Sequence, residues 1–123
     1  MERSQIKSVN EESVIGALRG LHPSQRLLAL YEYGIDGCLE RDQEKVTAAL
    51  EELINILDFK YGEIAEGFYR VYSFCLRKAE KGEFDPVAWL LQDLRDTWAE
   101  SLAEMPAGTV IPIVDAAPAS RTT

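Results

Sequence analysis

The chain has a single histidine, His22, and only two cysteines, Cys38 and Cys75, which lack the Cys-x-x-Cys spacing of a redox or metal motif. A di-iron bundle needs a Glu-x-x-His on each of two helices and two further glutamates, so one histidine in a loop before Pro23 excludes it. Gly-rich phosphate loops and a nucleophile placed beside a base are also missing, which leaves no basis for an enzyme, a metal or a cofactor. Glu63 and Glu66 can share a helix face, but two acids on a solvated side read as charged surface. Apolar runs stop at four or five residues, far short of the roughly 20 needed to cross a bilayer, and MERSQIKSVNEES has no apolar signal core. The expectation is a cytoplasmic protein without membrane insertion. Positive charge is scarce as well: 13 Lys and Arg against 21 Asp and Glu give a formal net charge of -8. Nucleic acid is therefore a poor partner, since phosphate binding requires a basic surface. The two cysteines fall within helical stretches and are expected as buried thiols rather than a disulfide.

What the sequence does contain is apolar residues at helical spacing. Its 123 residues suit one domain with one core. Asn10, followed by Glu11 and Glu12, starts a short helix with a stripe of Val14, Ile15, Leu18 and Leu21, and Gly20 can end it. Pro23 and Ser24 open a long helix in which Leu27, Leu28, Tyr31, Ile35, Cys38 and Leu39 recur to about Glu40. Asp42 caps a further helix carrying Val46, Ala49, Leu50, Leu53, Ile54, Ile56 and Leu57 before the LDFKYG turn. In GEIAEGFYRVYSFCLRKAE, residues 62 to 80, the apolar positions fill an arc of roughly 160°, more than the roughly 100° one neighbour requires. Gly82 closes it. The last helix is expected to start with Asp85 as N-cap and Pro86 at its first position, and Val87, Leu90, Leu91, Leu94, Trp98 and Leu102 share one arc.

No strand-like alternation precedes residue 106, and the joints are short, so the expected fold is all-α: an antiparallel up-and-down four-helix bundle with a short extra N-terminal helix. Residues 1–105 form the domain and 106–123, rich in Pro, Ala and Thr, an irregular tail within which TVIPIV is apolar enough to dock. The expected core is Leu28, Tyr31, Ile35, Leu50, Leu53, Leu57, Phe68, Tyr72, Cys75, Leu91, Leu94 and Trp98.

Some apolar residues leave these arcs. Trp89 projects about 160° from the centre of its helix's core arc, among Asp93, Asp96 and Glu100. Tyr33 and Phe74 are similar outliers, and Ile54 and Leu90 lie at arc edges. These five are the candidate partner-binding residues, because exposed aromatics are either covered or used as anchors. Gly34 and Gly37, beside Leu30, indicate either close packing inside the bundle or a shallow strip for a partner's backbone.

Three stretches in order, HPSQRLLALYEYG, GEIAEGFYRVYSFCLRKA and LLQDLRDTWAESL, resemble the flagellin-specific export chaperones of the FliS family. Leu94, Arg95, Asp96 and Trp98 are the most specific piece, and the resemblance spans roughly residues 14 to 102. It implies a helical bundle that binds the disordered C-terminal region of flagellin, keeps it from polymerising in the cytoplasm and delivers it to the flagellar export gate. On that reading Tyr33, Ile54, Phe74, Trp89 and Leu90 contribute to the client surface, and TVIPIV can act as a self-cap in place of the tyrosine-containing N-terminal segment usual in the family. The alternative is a helical adaptor or self-associating bundle, such as a homodimer, with a different client.

Overall fold

A computed structural model describes residues 11–104, which are helical throughout apart from short turns and include no β-strand. The cap expected at Asn10 and the irregular tail expected over residues 106–123 lie outside the described residues. Helix α1 covers residues 11–18. It is followed by α2 (Pro23–Leu39), α3 (Gln43–Asn55), a 3-10 turn (Phe59–Tyr61), α4 (Glu63–Glu80) and α5 (Phe84–Ala103).

Local chemistry fixes the ends. At α2, Pro23 takes the first position, where its missing N–H is no loss, and the His22 side chain accepts from the Ser24 N–H. At α3, the Asp42 carboxylate accepts from the Lys45 N–H at 3.2 Å, as an N-cap should. Helix α2 ends in a left-handed turn: Arg41 has φ 57°, its N–H donates to the Cys38 carbonyl and the Asp42 N–H to the Gly37 carbonyl. Helix α4 ends the same way, with Gly82 at φ 77° and the N–H groups of Gly82 and Glu83 donating to Ala79 and Lys78. Both are Schellman closures, which turn the chain back within three residues.

Two boundaries differ from the sequence reading. Helix α5 starts at Phe84, with Glu83 as N-cap, rather than after Asp85. Phe84 is buried beneath the Arg41 guanidinium, 5.9 Å from its ring centre, and Asp85 pairs with Arg41 at 3.0 Å instead of capping. Pro86 then occupies the third helical position, still within the turn whose N–H groups have no intrahelical acceptor. Helix α3 ends at Asn55, so Ile56 and Leu57 bury their side chains from the turn.

Helix α2 packs closely on both α3 and α5, α3 also packs on α4, and α4 meets α5 over only a short stretch. The backbones of α2 and α4 do not approach one another, nor do those of α3 and α5. The result is a helical bundle with one open side. Gly34 and Gly37 explain the tight contacts of α2. A methyl group on Gly34 would stand 2.9 Å from Leu91 Cδ1, and one on Gly37 would stand 2.8 Å from Val46 Cγ2. Of the two readings of these glycines, close packing within the bundle is what the structure shows.

Leu27, Leu30, Tyr31, Val46, Leu50, Leu53, Tyr72, Cys75, Val87 and Leu91 form the fully enclosed centre. Phe68, Leu94 and Trp98, expected there, are only half-buried against its edge, Leu28 is half-buried without joining the core, and Leu39 is 68% exposed. Leu30 rather than Leu28 faces inward, because the close approach of α5 at Gly34 turns that side of α2 to the interior. Helix α1 is tied to α3: Ile15 joins the core, and Arg19 makes a two-pronged ion pair with the buried Glu52, both bonds 2.9 Å. Among the described residues no helix is long and apolar enough to cross a membrane.

Candidate partner-binding surface

The thin contact between α4 and α5 leaves a seam. On α5, Leu90, Leu94, Trp98 and Leu102 recur every four residues and so form one row along the helix; all four are half-buried and packed against the core. On α4, Ile64, Phe68 and Val71, spaced four and three residues apart, share one flank of the helix. Phe68 and Trp98 meet across the seam with ring centres 6.0 Å apart. Phe68 and Val71 are half-buried, whereas Ile64 is 57% exposed. A row of large apolar side chains that is neither enclosed nor fully in water is suited to receiving one more apolar element.

Beneath the seam lies a polar pair. The Tyr31 and Tyr72 hydroxyls are 2.6 Å apart and buried, and Phe68 stacks on Tyr72 with ring centres 5.9 Å apart. Burial pushes the Tyr31 hydroxyl up to about 12, against smaller opposing effects of hydrogen bonds with Tyr72 and the Trp98 indole. Burial likewise holds Tyr72 well above its ordinary value. The cysteines are free and buried, as expected, and burial pushes Cys38 up to about 11 and Cys75 up to about 12. A thiol kept protonated in this way is a poor nucleophile and a poor ligand. Among the described residues no group of three or more His, Cys, Asp or Glu is placed to hold a metal ion.

The five residues singled out from sequence are distributed over four helices. Leu90 lies in the α5 row of the seam. Trp89, its neighbour, is 76% exposed on the opposite flank of α5. Phe74 is exposed on α4, with Lys78 Nζ 5.5 Å over its ring. Tyr33 is half-buried: its hydroxyl donates to Glu11 on α1, and Lys45 Nζ sits 4.9 Å over the ring. Ile54 is half-buried against the core from α3.

Sequence reasoning missed the seam itself, since it assigned Phe68, Leu94 and Trp98 to the core. The four-residue repeat from Leu90 to Leu102 was visible; that α4 fails to close over it was not. It also missed an aromatic contact at the start of α4, where Phe59 and Tyr69 meet edge to face at 6.1 Å and both are about half exposed. A separate recess between α1 and α3 combines the acids Glu11, Glu12, Glu51 and Glu52 and the base Arg19 with an apolar floor that includes Ile15 and Ala48.

Fold and surface thus define a small helical bundle with an apolar seam along one side. No protein-family model, no curated protein and no solved structure matches this chain.

Proposed function

We propose that this chain is an antiparallel, up-and-down four-helix bundle that acts as an export chaperone for flagellin. It takes the disordered C-terminal region of flagellin on its surface, prevents premature polymerisation and presents the client to the export gate in the cytoplasm. The antiparallel order is supported by the pairs along α2 and α5: Arg41 with Asp85, Gly34 beside Leu91, and Glu32 with Arg95. The observation that carries the functional reading is the half-buried row of Leu90, Leu94, Trp98 and Leu102 facing α4. One amphipathic helix of a client, laid with its apolar stripe in the seam, would bury this row and order itself in doing so. The three segments resembling export chaperones, which include Phe68, Leu94 and Trp98, supply the client's identity. A client that wraps the bundle would also cover Trp89 on the other flank of α5 and Phe74 on α4 and, farther round, Ile54 on α3 and Tyr33 on α2.

The exposure of Trp89 supports a second reading, a helical adaptor or self-associating bundle that uses this flank for another copy or another client. Co-expression with the flagellin of the same organism decides between them. A soluble one-to-one complex is expected for the chaperone, and flagellin that stays insoluble, with no complex recovered, would overturn it.

A further inference from the structure

The last described residue, Glu104, leaves α5 at the Leu102 end of the seam, one turn beyond the contact of Trp98 with Phe68. The residues that follow, Met105 to Val114, make up the longest uncharged run in the chain, ten residues in a sequence that is 28% charged. Within them, Pro106 and Gly108 provide the turn chemistry that lets a chain reverse direction. Next comes TVIPIV, residues 109–114. Pro112 fixes its own backbone and pushes Ile111 toward the extended conformation, so the segment is disposed to run straight rather than coil. Six extended residues reach about 20 Å. The row from Leu90 to Leu102 rises 12 residues along a helix, about 18 Å.

We propose that the α4–α5 seam is the docking site of this chain's own segment 109–114, which folds back from the end of α5 and lays Ile111 and Ile113, which share one face of an extended chain, along the row from Leu102 to Leu90. Three features match: the point of exit, the length, and the pairing of the chain's longest uncharged stretch with its half-buried apolar row. The bundle then carries its own occupant for the surface where the proposed function seats a client. Client binding would require displacement of that segment, a consequence that rests on the chaperone reading, although the docking itself does not.

The test uses the full chain carrying Ile111→Asp and Ile113→Asp, in a Trp89→Phe background so that Trp98 is the sole tryptophan, excited selectively over the tyrosines. Undocking should raise acrylamide quenching of Trp98 at least about twofold and speed amide exchange across residues 90–102, while helix content by circular dichroism stays the same. Unchanged quenching and exchange would overturn the proposal. So would quenching of the unsubstituted chain that rises on dilution, which would show that a second copy covers the seam. A synthetic peptide of the flagellin C-terminal region, titrated into chains that keep Trp89, with and without the two aspartates, separates the two ideas. Tighter binding to the substituted chain supports both, whereas exposed Trp98 with no peptide bound by either chain leaves the docking in place and removes the flagellin client.

Discussion

The hydroxyls of Tyr31 and Tyr72 meet at 2.6 Å across the middle of the bundle, joining α2 and α4, two helices whose backbones do not approach one another. A buried hydroxyl is costly without a partner, so each ring holds the other in place. Tyr31 has a further neighbour in the Trp98 indole, whereas the only hydrogen bond from Tyr72 among the described residues is to Tyr31. Tyr31→Phe should therefore destabilise by about 1–3 kcal/mol, because it strands the Tyr72 hydroxyl, and Tyr72→Phe by less. The double variant should lose less than the sum, as coupled residues do. Urea unfolding of the three variants measures this, and strict additivity would refute the coupling.

The glycines of α2 and α4 should respond in opposite directions to alanine. On Gly37 the new methyl meets the Val46 backbone nitrogen at 3.0 Å, which cannot yield as a side chain can, so Gly37→Ala should cost about 1–3 kcal/mol. Gly34→Ala should cost less, since the Leu91 side chain can turn aside. Gly67, within α4, has open space around it, and Gly67→Ala should stabilise by roughly 0.5–1 kcal/mol. Thermal melts of the three give the ranking.

Alkaline pH should weaken the fold. Tyr31, Cys38 and Cys75 hold their protons to about 12, 11 and 12 when folded, against ordinary values of 10.0, 9.0 and 9.0. Above pH 9 the folded chain thus binds more protons than the unfolded one, and stability falls with rising pH. This contribution is complete below pH 9 and is lost progressively up to about 12. Unfolding midpoints in urea taken from neutral to alkaline pH should trace that decline, and Cys75→Ala should flatten it.

Leu91 and Leu94, one turn apart on α5, should separate folding from binding. Leu91 is fully enclosed, so Leu91→Ala should cost about 2–5 kcal/mol. Leu94 is half-buried in the seam, and Leu94→Ala should cost under about 2 kcal/mol. It should nevertheless weaken a flagellin C-terminal peptide clearly in calorimetry, at a temperature where both variants are folded.

Trp89→Ala should leave the melting temperature nearly unchanged, since the side chain is 76% exposed. If the client covers this flank, the same change weakens peptide binding by at least about 2 kcal/mol. Unchanged affinity would remove Trp89 from the client surface.

The helical elements were legible in the sequence because each is signed locally: Pro23 and Asp42 at starts, Gly82 at an end, and apolar residues at a 3.6-residue period between. The start of α5 was misplaced because Asp85 and Pro86 look like a cap, and only the neighbouring helix reveals that Phe84 has an aromatic slot beneath Arg41. The inward side of α2 was misjudged by one position for a similar reason, as Leu28 and Leu30 both fit the period and Gly34 decides which one α5 meets. Periodicity also cannot tell a core position from one on an open seam. Leu91 and Leu94 belong to one apolar arc, and their burial differs because α4 stands close to α5 over only a short stretch.

The uneven contacts among the helices also imply an order in time. Helices α2 and α3 are joined by three residues, from Glu40 to Asp42, and pack closely, so this hairpin closes with little loss of chain entropy. Helix α5 must then find α2 from much farther along the chain, and its arrival at Gly34 closes the large loop. Helix α4, packed on α3 but meeting α5 over only a short stretch, should open before α2, its amides exchanging with solvent ahead of those in α2.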